Sequence, residues 1–254
     1  MAVLTAFEFL TALRFRRPPI LEPQRLARSQ PFFPLVGLAL GLILVGLDRA
    51  FLKVLAEPAV DWVLVVGLVL LTGGLHLEGL ADACDGLFGG HTREQRLEIM
   101  RDPRIGAYGA IALLSVLALK WAGLASLPPA VRVEGLLLAP CLSRWALLPA
   151  MAAFPYAREE GLGRAFHPSA GWATLTLGGV TALTAAAALL GWAGPVLAVA
   201  TAATALLLGL YATVRLGGLT GDVYGALVEA GEVATLLLIA AGARRGWIEP
   251  LLLG

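Results

Sequence analysis

Seven stretches of mostly apolar residues dominate this chain and limit what it can fold into. Each is long enough to cross the hydrocarbon core of a bilayer, for which a helix needs about 20 residues. The chain has 254 residues, of which 58% are hydrophobic and 15% are charged, whereas soluble domains average about 25% charged residues. We therefore predict an all-α fold, a polytopic membrane bundle of about seven transmembrane helices. The segments lie at about 34–55, 59–81, 107–127, 133–154, 171–192, 195–214 and 223–242.

The N-terminal region is too short to span a membrane. Residues 2–13 carry Phe7, Phe9 and Leu10 and precede a cluster of arginines, which is typical of an amphipathic helix lying on an anionic leaflet. Residues 17–34 are basic and rich in proline and predict an extended connector. The predicted organisation is one membrane domain over 1–254, with an interfacial helix and connector at 1–33, a bundle at 34–242 and a C-terminal tail at 243–254.

Arginine placement predicts the orientation of the bundle. Cytoplasmic loops of membrane proteins carry an excess of lysine and arginine. If the N-terminus is cytoplasmic, the loops on the outer side contain mainly Lys53 and Arg132. Arg244 and Arg245 also fall on the outer side in a seven-span count, which does not fit this rule. The polar loops after the second, fourth and sixth segments then face the cytoplasm together. The inner set comprises Arg14, Arg16, Arg17, Arg25, Arg28, Arg93, Arg96, Arg101, Arg104, Arg158, Arg164 and Arg215. The net charge of +1 gives no sign of a nucleic-acid surface.

An acidic stripe follows the second apolar segment. Glu78, Asp82 and Asp85 are spaced i, i+4, i+7, so a helix places them within an arc of about 60°. Like charges at this spacing weaken a helix unless a cation lies among them, and Mg²⁺ prefers such oxygen ligands. The alternative is a solvated acidic turn just outside the membrane. The glycines that bracket the stripe favour close approach of a ligand or of another backbone.

A second acidic element opens the last apolar segment. Asp222 and Glu229 are seven residues apart and share a helix face, whereas Glu232 points some 60° away. An ionisable group inside a membrane helix is a functional candidate by default. The preceding glycine-rich turn, which contains Gly218, offers backbone N–H groups and the Thr220 hydroxyl to phosphate oxygens.

Several basic residues accompany these carboxylates. Arg144 lies within the fourth apolar segment, so we expect it to meet a carboxylate or a bound phosphate. Lys120 near the end of the third segment is expected to snorkel towards the interface. Arg158 is either a phosphate ligand or a topology signal, and His76 is either a packed core histidine or a proton acceptor.

Three separated blocks of this sequence resemble the cobalamin synthase family, the adenosylcobinamide-GDP ribazoletransferases. They are GGLHLEGLADACDG at 73–86, RDPRIGAYGA at 101–110 and GGLTGDVYGA at 217–226, with YAREEGLG at 156–163 as weaker support. The resemblance implies Mg²⁺-dependent transfer of α-ribazole, or α-ribazole 5′-phosphate, onto adenosylcobinamide-GDP with release of GMP. It also implies a place in the cytoplasmic membrane and contact with other late corrinoid enzymes, while assembly as a homo-oligomer is left open.

The resemblance also implies roles for individual residues. Asp82, Asp85 and Asp222 are expected to be catalytic and to ligate the metal, with Glu78 and Glu229 as further ligands. The residues expected to bind substrate are His76, Arg104, Arg158, Arg215, Gly218 and Thr220.

Other functions remain as alternatives. A CDP-alcohol-type phospholipid phosphotransferase shares the D-x-x-D-G pattern at Asp82 to Gly86, but it would want an Ala-Arg pair after the glycine and a close second aspartate pair. An aspartate-rich membrane prenyltransferase would show Asn-Asp or D-x-x-x-D motifs. A cation or corrinoid transporter would release no GMP.

Overall fold

Helices account for nearly all regular structure in this protein. The computed structural model describes residues 1–15, 22–159, 161–169 and 171–249, and within them the only strand-like feature is a parallel bridge between Tyr156 and Leu219. The all-α prediction is confirmed. The α-helices are α1 (Ala2–Leu10), α2 (Pro23–Ser29), α3 (Phe33–Phe51), α4 (Glu57–Thr72), α5 (Leu75–Gly89), α6 (Arg93–Ile99), α7 (Ala107–Ala125), α8 (Arg132–Ala153), α9 (Trp172–Leu190), α10 (Ala193–Leu216) and α11 (Gly221–Arg244).

Membrane-spanning length and apolar character occur in six helical stretches of the described chain. α2 and α3 form one of them through the 3₁₀ turn Gln30–Phe32; the others are α7, α8 with the turn before it, α9, α10 and α11. α4 and α5 pass the same test only as a pair, with a bend of 89° between them. The count of about seven spans is therefore met only if this bent pair is one of them.

The bend between α4 and α5 corrects the prediction of one continuous helix over 59–81. Gly73 and Gly74 have φ angles of 64° and 73°, a left-handed conformation that glycine adopts without the steric penalty of a Cβ. Gly73 ends α4, and Gly74 precedes the first residue of α5. As a result α5, with its acidic residues, turns sideways at the end of α4.

α8 forms the centre of the bundle. It packs against α3, α9, α10 and α11, and its buried side chains are spread all around the helix rather than along one stripe. A helix that is apolar on every side is typical of the middle of a bundle. The outer helices α7 and α9 leave most of their surface exposed, as expected of helices whose outer side faces lipid.

The N-terminal region is more tightly packed than predicted. α1 lies against α2 and α3, with Phe9 close to the rings of Phe33 and Phe166, so it is part of the bundle. The extended connector is wrong for residues 23–34, which are helical, while residues 16–21 lie outside the described chain. The prolines start helices here: Pro23 and Pro34 occupy first-turn positions, where proline is well tolerated.

Two groups of buried charges join the helices. Arg132 contacts Asp48 at 2.8 Å and Asp61 at 2.6 Å and so links α8 to α3 and α4. Arg132 is therefore buried rather than in an outer loop. The second group is called the ion quartet here and consists of Lys120, Arg144, Glu229 and Glu232, from α7, α8 and α11.

The ion quartet decides two predictions. Arg144 pairs with Glu232, so the expectation that it meets a carboxylate is confirmed. Lys120 is buried and lies 2.6 Å from Glu229 and 2.5 Å from Glu232, so snorkelling is wrong. Two cations and two anions balance each other, which removes the large penalty that an isolated charge would have inside the membrane.

Candidate active site

A cavity of about 330 Å³ lies between α5 and α11 and is bordered by α1, α8 and the segment after α8. Glu78, Asp82 and Asp222 line it together with Arg158. Carboxylates that are far apart in the sequence therefore meet around one space. The other lining residues are Phe9, Leu10, Leu75, His76, Gly79, Leu147, Met151, Tyr156, Gly161, Gly163, Gly221, Tyr224 and Gly225.

A glycine contact brings the two acidic elements together. A Cβ at Gly79 of α5 would lie 2.9 Å from the carbonyl oxygen of Asp222, and one at Gly225 of α11 would lie 2.8 Å from that of His76. Both distances are shorter than a real side chain allows. The two helices can pack this closely only because neither residue has a side chain at the crossing. Asp82, one turn along α5 from Gly79, thus shares the cavity with Asp222.

Asp222 is held at the start of α11 by two neighbours. The Arg158 guanidinium lies 2.8 Å from its Oδ2, and the Thr220 hydroxyl donates to the same oxygen at 3.3 Å. Thr220 also caps α11, because its Oγ1 accepts the N–H of Val223 at 3.2 Å. Thr220, which was predicted to bind substrate, is fully buried. Its hydrogen bond to Asp222 holds that carboxylate in position.

Arg158 reaches the cavity from the segment that follows α8. The bridge between Tyr156 and Leu219 consists of two hydrogen bonds, from Ala157 N–H to the Leu219 carbonyl and from Leu219 N–H to the Pro155 carbonyl, both 2.8 Å. A Cβ at Gly218 would lie 2.5 Å from the Pro155 carbonyl oxygen. Gly218 thus allows the two loops to meet. The contact between the loops fixes Arg158 beside Asp222. Gly218 itself does not line the cavity.

Aromatic residues form one wall of the cavity. The rings of Tyr156 and Tyr224 have centroids 6.3 Å apart, within the range of aromatic pairs. Burial raises the pKa of the Tyr156 hydroxyl, so this group stays protonated and can donate a hydrogen bond at neutral pH.

His76 lies beneath this wall and is almost fully buried. Neither of its ring nitrogens has a hydrogen-bond partner among the described residues. It lines the cavity, so a substrate group in the cavity can reach it. The burial of His76 agrees with a packed core histidine, and its unpartnered ring nitrogens agree with a proton acceptor.

Asp85 does not line the cavity, which corrects the expectation that all three stripe carboxylates point to one space. Its Oδ2 accepts the Gly106 N–H and its Oδ1 the Gly109 N–H, both at 2.8 Å. These are free N–H groups at the start of α7. The structure thus places Asp85 as a clamp between α5 and α7, because its position on α5 points it towards that neighbour.

Glu229 is also away from the cavity lining. It belongs to the ion quartet, where Lys120 neutralises it at 2.6 Å. Two helical turns separate it from Asp222 along α11, and this distance carries it into the bundle. The sequence pattern gave the shared face correctly but could not show that α7 supplies a cation at that depth.

Two predicted phosphate ligands lie outside the cavity. Arg104 is exposed and forms an ion pair with Asp102 at 2.6 Å, and its hydrogen bond lowers the pKa of that carboxyl to about 2. The Arg215 guanidinium lies 4.0 Å from the centroid of the Tyr211 ring. Neither lines the cavity with Asp82 and Asp222: Arg104 lies between α6 and α7, and Arg215 lies in the last turn of α10.

The cavity residues that sequence reasoning missed include two tyrosines and two residues of α1. Tyr156 and Tyr224 stand inside quoted family blocks, and that position could have marked them. Phe9 and Leu10 come from α1, and no local pattern connects them with residues 70 positions or more away.

The cavity contains oxygen donors of the type that magnesium prefers. Within the described residues, no three His, Cys, Asp or Glu side chains are arranged to hold an ion by themselves. Magnesium is commonly held by one or two carboxylates together with phosphate oxygens of a substrate. Asp82, Asp222 and Glu78 supply hard oxygen donors of this kind, so the residues fit a magnesium ion that binds with its substrate.

The fold and the cavity define a class of protein: a multi-pass α-helical membrane protein with a site of carboxylates and one arginine. The profile of the cobalamin-5-phosphate synthase family matches residues 2–240. The chain belongs to this family, and the resemblance drawn from its three sequence blocks is confirmed.

Several relatives share one name. A protein of Syntrophobacter fumaroxidans is 43% identical over 93% of this chain and 96% of its own length. One of Roseiflexus sp. is 41% identical over 94% and 88%, and one of Pseudomonas savastanoi is 40% identical over 92% and 97%. Each is named adenosylcobinamide-GDP ribazoletransferase. No solved structure is a significant match.

Proposed function

We propose that this protein is an adenosylcobinamide-GDP ribazoletransferase, which completes the nucleotide loop of a corrinoid in vitamin B12 biosynthesis. The observation that carries the proposal is the cavity in which Asp82 of α5 meets the Asp222–Arg158 pair. Its relatives over nearly the whole chain bear this name, and its carboxylates and arginine suit a phosphate-bearing substrate.

The reaction is a displacement at phosphorus. A ribose hydroxyl of α-ribazole, or of α-ribazole 5′-phosphate, attacks the phosphorus that bears the aminopropanol arm of the corrinoid. A new P–O bond forms and the bond to the bridging oxygen of the pyrophosphate breaks, so GMP leaves with that electron pair. The hydroxyl proton passes to a cavity carboxylate. The products are GMP and adenosylcobalamin, or its 5′-phosphate.

Different residues of the cavity bind and orient different parts of the substrates. Arg158 is fixed by the bridge to Leu219 and offers guanidinium N–H groups to the pyrophosphate. Tyr156 and Tyr224 present flat rings against which the base of α-ribazole can stack. Phe9 and Leu10 at the edge of the cavity provide apolar surface for the corrin, whose bulk exceeds a cavity of about 330 Å³.

A magnesium ion would be held by Asp82 and Asp222, with Glu78 as a further oxygen donor. When bound, such an ion neutralises charge on the pyrophosphate and stabilises the leaving group. Without a cation, the three carboxylates of the cavity outnumber Arg158 and would repel a pyrophosphate.

The arginine distribution supports a cytoplasmic position for the cavity in the inner membrane. The segments that follow α5 and α8 border it or lie beside it. They hold Arg93, Arg96, Arg101, Arg104, Arg158 and Arg164, and an excess of arginine is typical of cytoplasmic loops. Water-soluble nucleotides would then reach it without crossing the bilayer. Labelling of cysteines introduced into the 155–161 segment in sealed vesicles tests the orientation, and labelling from the periplasmic side alone contradicts it.

GMP release tests the function. The purified protein in detergent receives adenosylcobinamide-GDP and α-ribazole, with magnesium or with EDTA. We expect GMP and a cobalamin in equal amounts with magnesium, and none from Asp82→Asn or Asp222→Asn. An Arg28→Ala variant, changed at an exposed position of α2, is the control for folding and charge. If the folded wild-type protein releases no GMP, the proposal fails.

The CDP-alcohol phosphotransferase alternative has no support from the relatives. The same assay can include it, because CDP-diacylglycerol with a small alcohol would release CMP. Release of CMP without any release of GMP from the corrinoid substrate would favour that alternative.

A further inference from the structure

A second, basic pocket lies beside the active-site cavity. It has a volume of about 310 Å³ and is lined by Arg93, Leu97, Arg101, Ala157, Arg158 and Glu159. Arg93, Leu97 and Arg101 are four residues apart, so α6 and the turn after it present them on one side. None of these three residues was among the predicted site residues, since arginines in this region are equally expected as topology signals.

Arg158 connects the two spaces. Its guanidinium lies 2.8 Å from Asp222 in the active-site cavity, and the same residue lines the basic pocket. Its Nε has no hydrogen-bond partner among the described residues. A ligand with one phosphate in the basic pocket therefore has its remaining atoms within reach of the reacting centre.

The arginines of the pocket are prepared for an anion. Arg93 is fixed by two backbone carbonyls, that of Leu216 at 2.7 Å from its Nε and that of Ala157 at 2.9 Å from its Nη2. Arg101 is exposed and forms no ion pair within the described chain. The lining holds three guanidinium groups and one carboxylate, Glu159. Asp222 pairs with Arg158 and Glu94 lies 3.8 Å from Arg93, so Arg101 is the arginine of the pocket that has no ion pair within the described chain.

A phosphate monoester suits this cluster of guanidinium groups. It carries close to two negative charges at neutral pH, and guanidinium groups bind such oxygens in bidentate geometry. We propose that the pocket of Arg93, Arg101 and Arg158 binds the phosphate of a nucleotide that is not attacked in the reaction. The inference rests on the proposed function and names the nucleotide subsite of the same site.

Two ligands of that function carry such a phosphate. One is α-ribazole 5′-phosphate, whose phosphate stays unchanged in the product. The other is GMP, whose phosphate is linked to guanosine in the activated corrinoid and becomes a monoester when it leaves. The chemistry of recognition is the same for both, and the kinetics of one variant separate them.

Arg101→Ala is the variant to measure, because Arg101 is exposed and its loss leaves the packing intact. If the pocket holds α-ribazole 5′-phosphate, KM for that substrate rises about tenfold while KM for α-ribazole is unchanged. If it holds the guanosine phosphate, KM for adenosylcobinamide-GDP rises about tenfold with either acceptor, and inhibition by GMP weakens equally. In both cases kcat changes little, Arg101→Lys restores part of the affinity, and Arg28→Ala behaves as the wild type.

Direct binding keeps this test independent of turnover. Calorimetry of the purified protein with GMP and with α-ribazole 5′-phosphate, each without the second substrate, should show that Arg101→Ala weakens the binding of one of the two ligands about tenfold. That result supports the pocket even if no cobalamin is formed and the proposed function fails. The inference is overturned if Arg101→Ala changes every KM and both dissociation constants by less than twofold.

Discussion

The glycine contact between α5 and α11 predicts that Gly79→Ala disables the site although alanine favours helices. A Cβ at Gly79 would lie 2.9 Å from the carbonyl oxygen of Asp222, about 0.5 Å short of the 3.4 Å at which ordinary contact begins. The opposing atom belongs to the backbone and cannot rotate away. We therefore expect the start of α11, and Asp222 with it, to move by about half an ångström.

The size of the effect follows from two opposing contributions. Overpacking a helix contact costs about 1–3 kcal/mol, while replacing glycine by alanine in a helix gains about 1 kcal/mol. We expect a net loss of stability of about 0–2 kcal/mol. Turnover suffers more, because a displacement of about 1 Å at a reacting centre can reduce a rate about 100-fold, and half of that displacement corresponds to about tenfold.

The assay is GMP release at saturating substrates, together with thermal unfolding in detergent. Gly46→Ala is the matched control, because a Cβ at Gly46 of α3 meets nothing within 4 Å. It should keep full turnover and unfold at the same or a higher temperature. The reasoning is refuted if Gly79→Ala releases GMP at the wild-type rate.

Further predictions concern individual contacts. Asp85→Asn should lower the unfolding temperature in detergent, because an amide cannot accept both N–H groups of Gly106 and Gly109; an unchanged temperature contradicts the clamp. Asp82→Asn, in contrast, should abolish GMP release without lowering that temperature. Lys120→Met should lower the free energy of unfolding by about 3–5 kcal/mol, since it leaves buried carboxylates without their cation. Unfolding in mild denaturing detergent measures this loss. The double variant with Glu229→Gln should recover part of it.

The sequence was sufficient for the approximate positions and the order of the long helices, apart from the second segment. A run of about 20 apolar residues has few alternatives in a membrane protein, and the seven segments recur as α3, the α4–α5 pair and α7 to α11. The sharp bend inside the second segment was not predicted. Two successive glycines fit an apolar helix as well as a break, and only their left-handed backbone conformation decides.

Charge pairing inside the bundle was the harder problem. Periodicity gives the face on which a carboxylate lies, and it gives no partner from another helix. Glu229 and Asp85 share faces with residues of the cavity, yet Lys120 and the start of α7 capture them. Asp222 and Arg158 could be assigned to one site because two separate family blocks contain them. Arg93 lies in no such block, and Arg101, although it begins the block at 101–110, was interpreted as a topology signal.

The ion quartet has a consequence for how the chain enters the membrane. Lys120 belongs to α7, and both of its carboxylate partners belong to α11, more than one hundred residues later. At about 5–20 residues per second, the ribosome finishes α11 roughly 5–20 s after α7. During that interval the lysine has no carboxylate partner. On translocon-insertion scales, a charged residue at the centre of a membrane helix costs about 2.5–3.5 kcal/mol of insertion free energy. We expect α7 to stay beside the translocon until the last helix arrives, so the bundle closes from its C-terminal end.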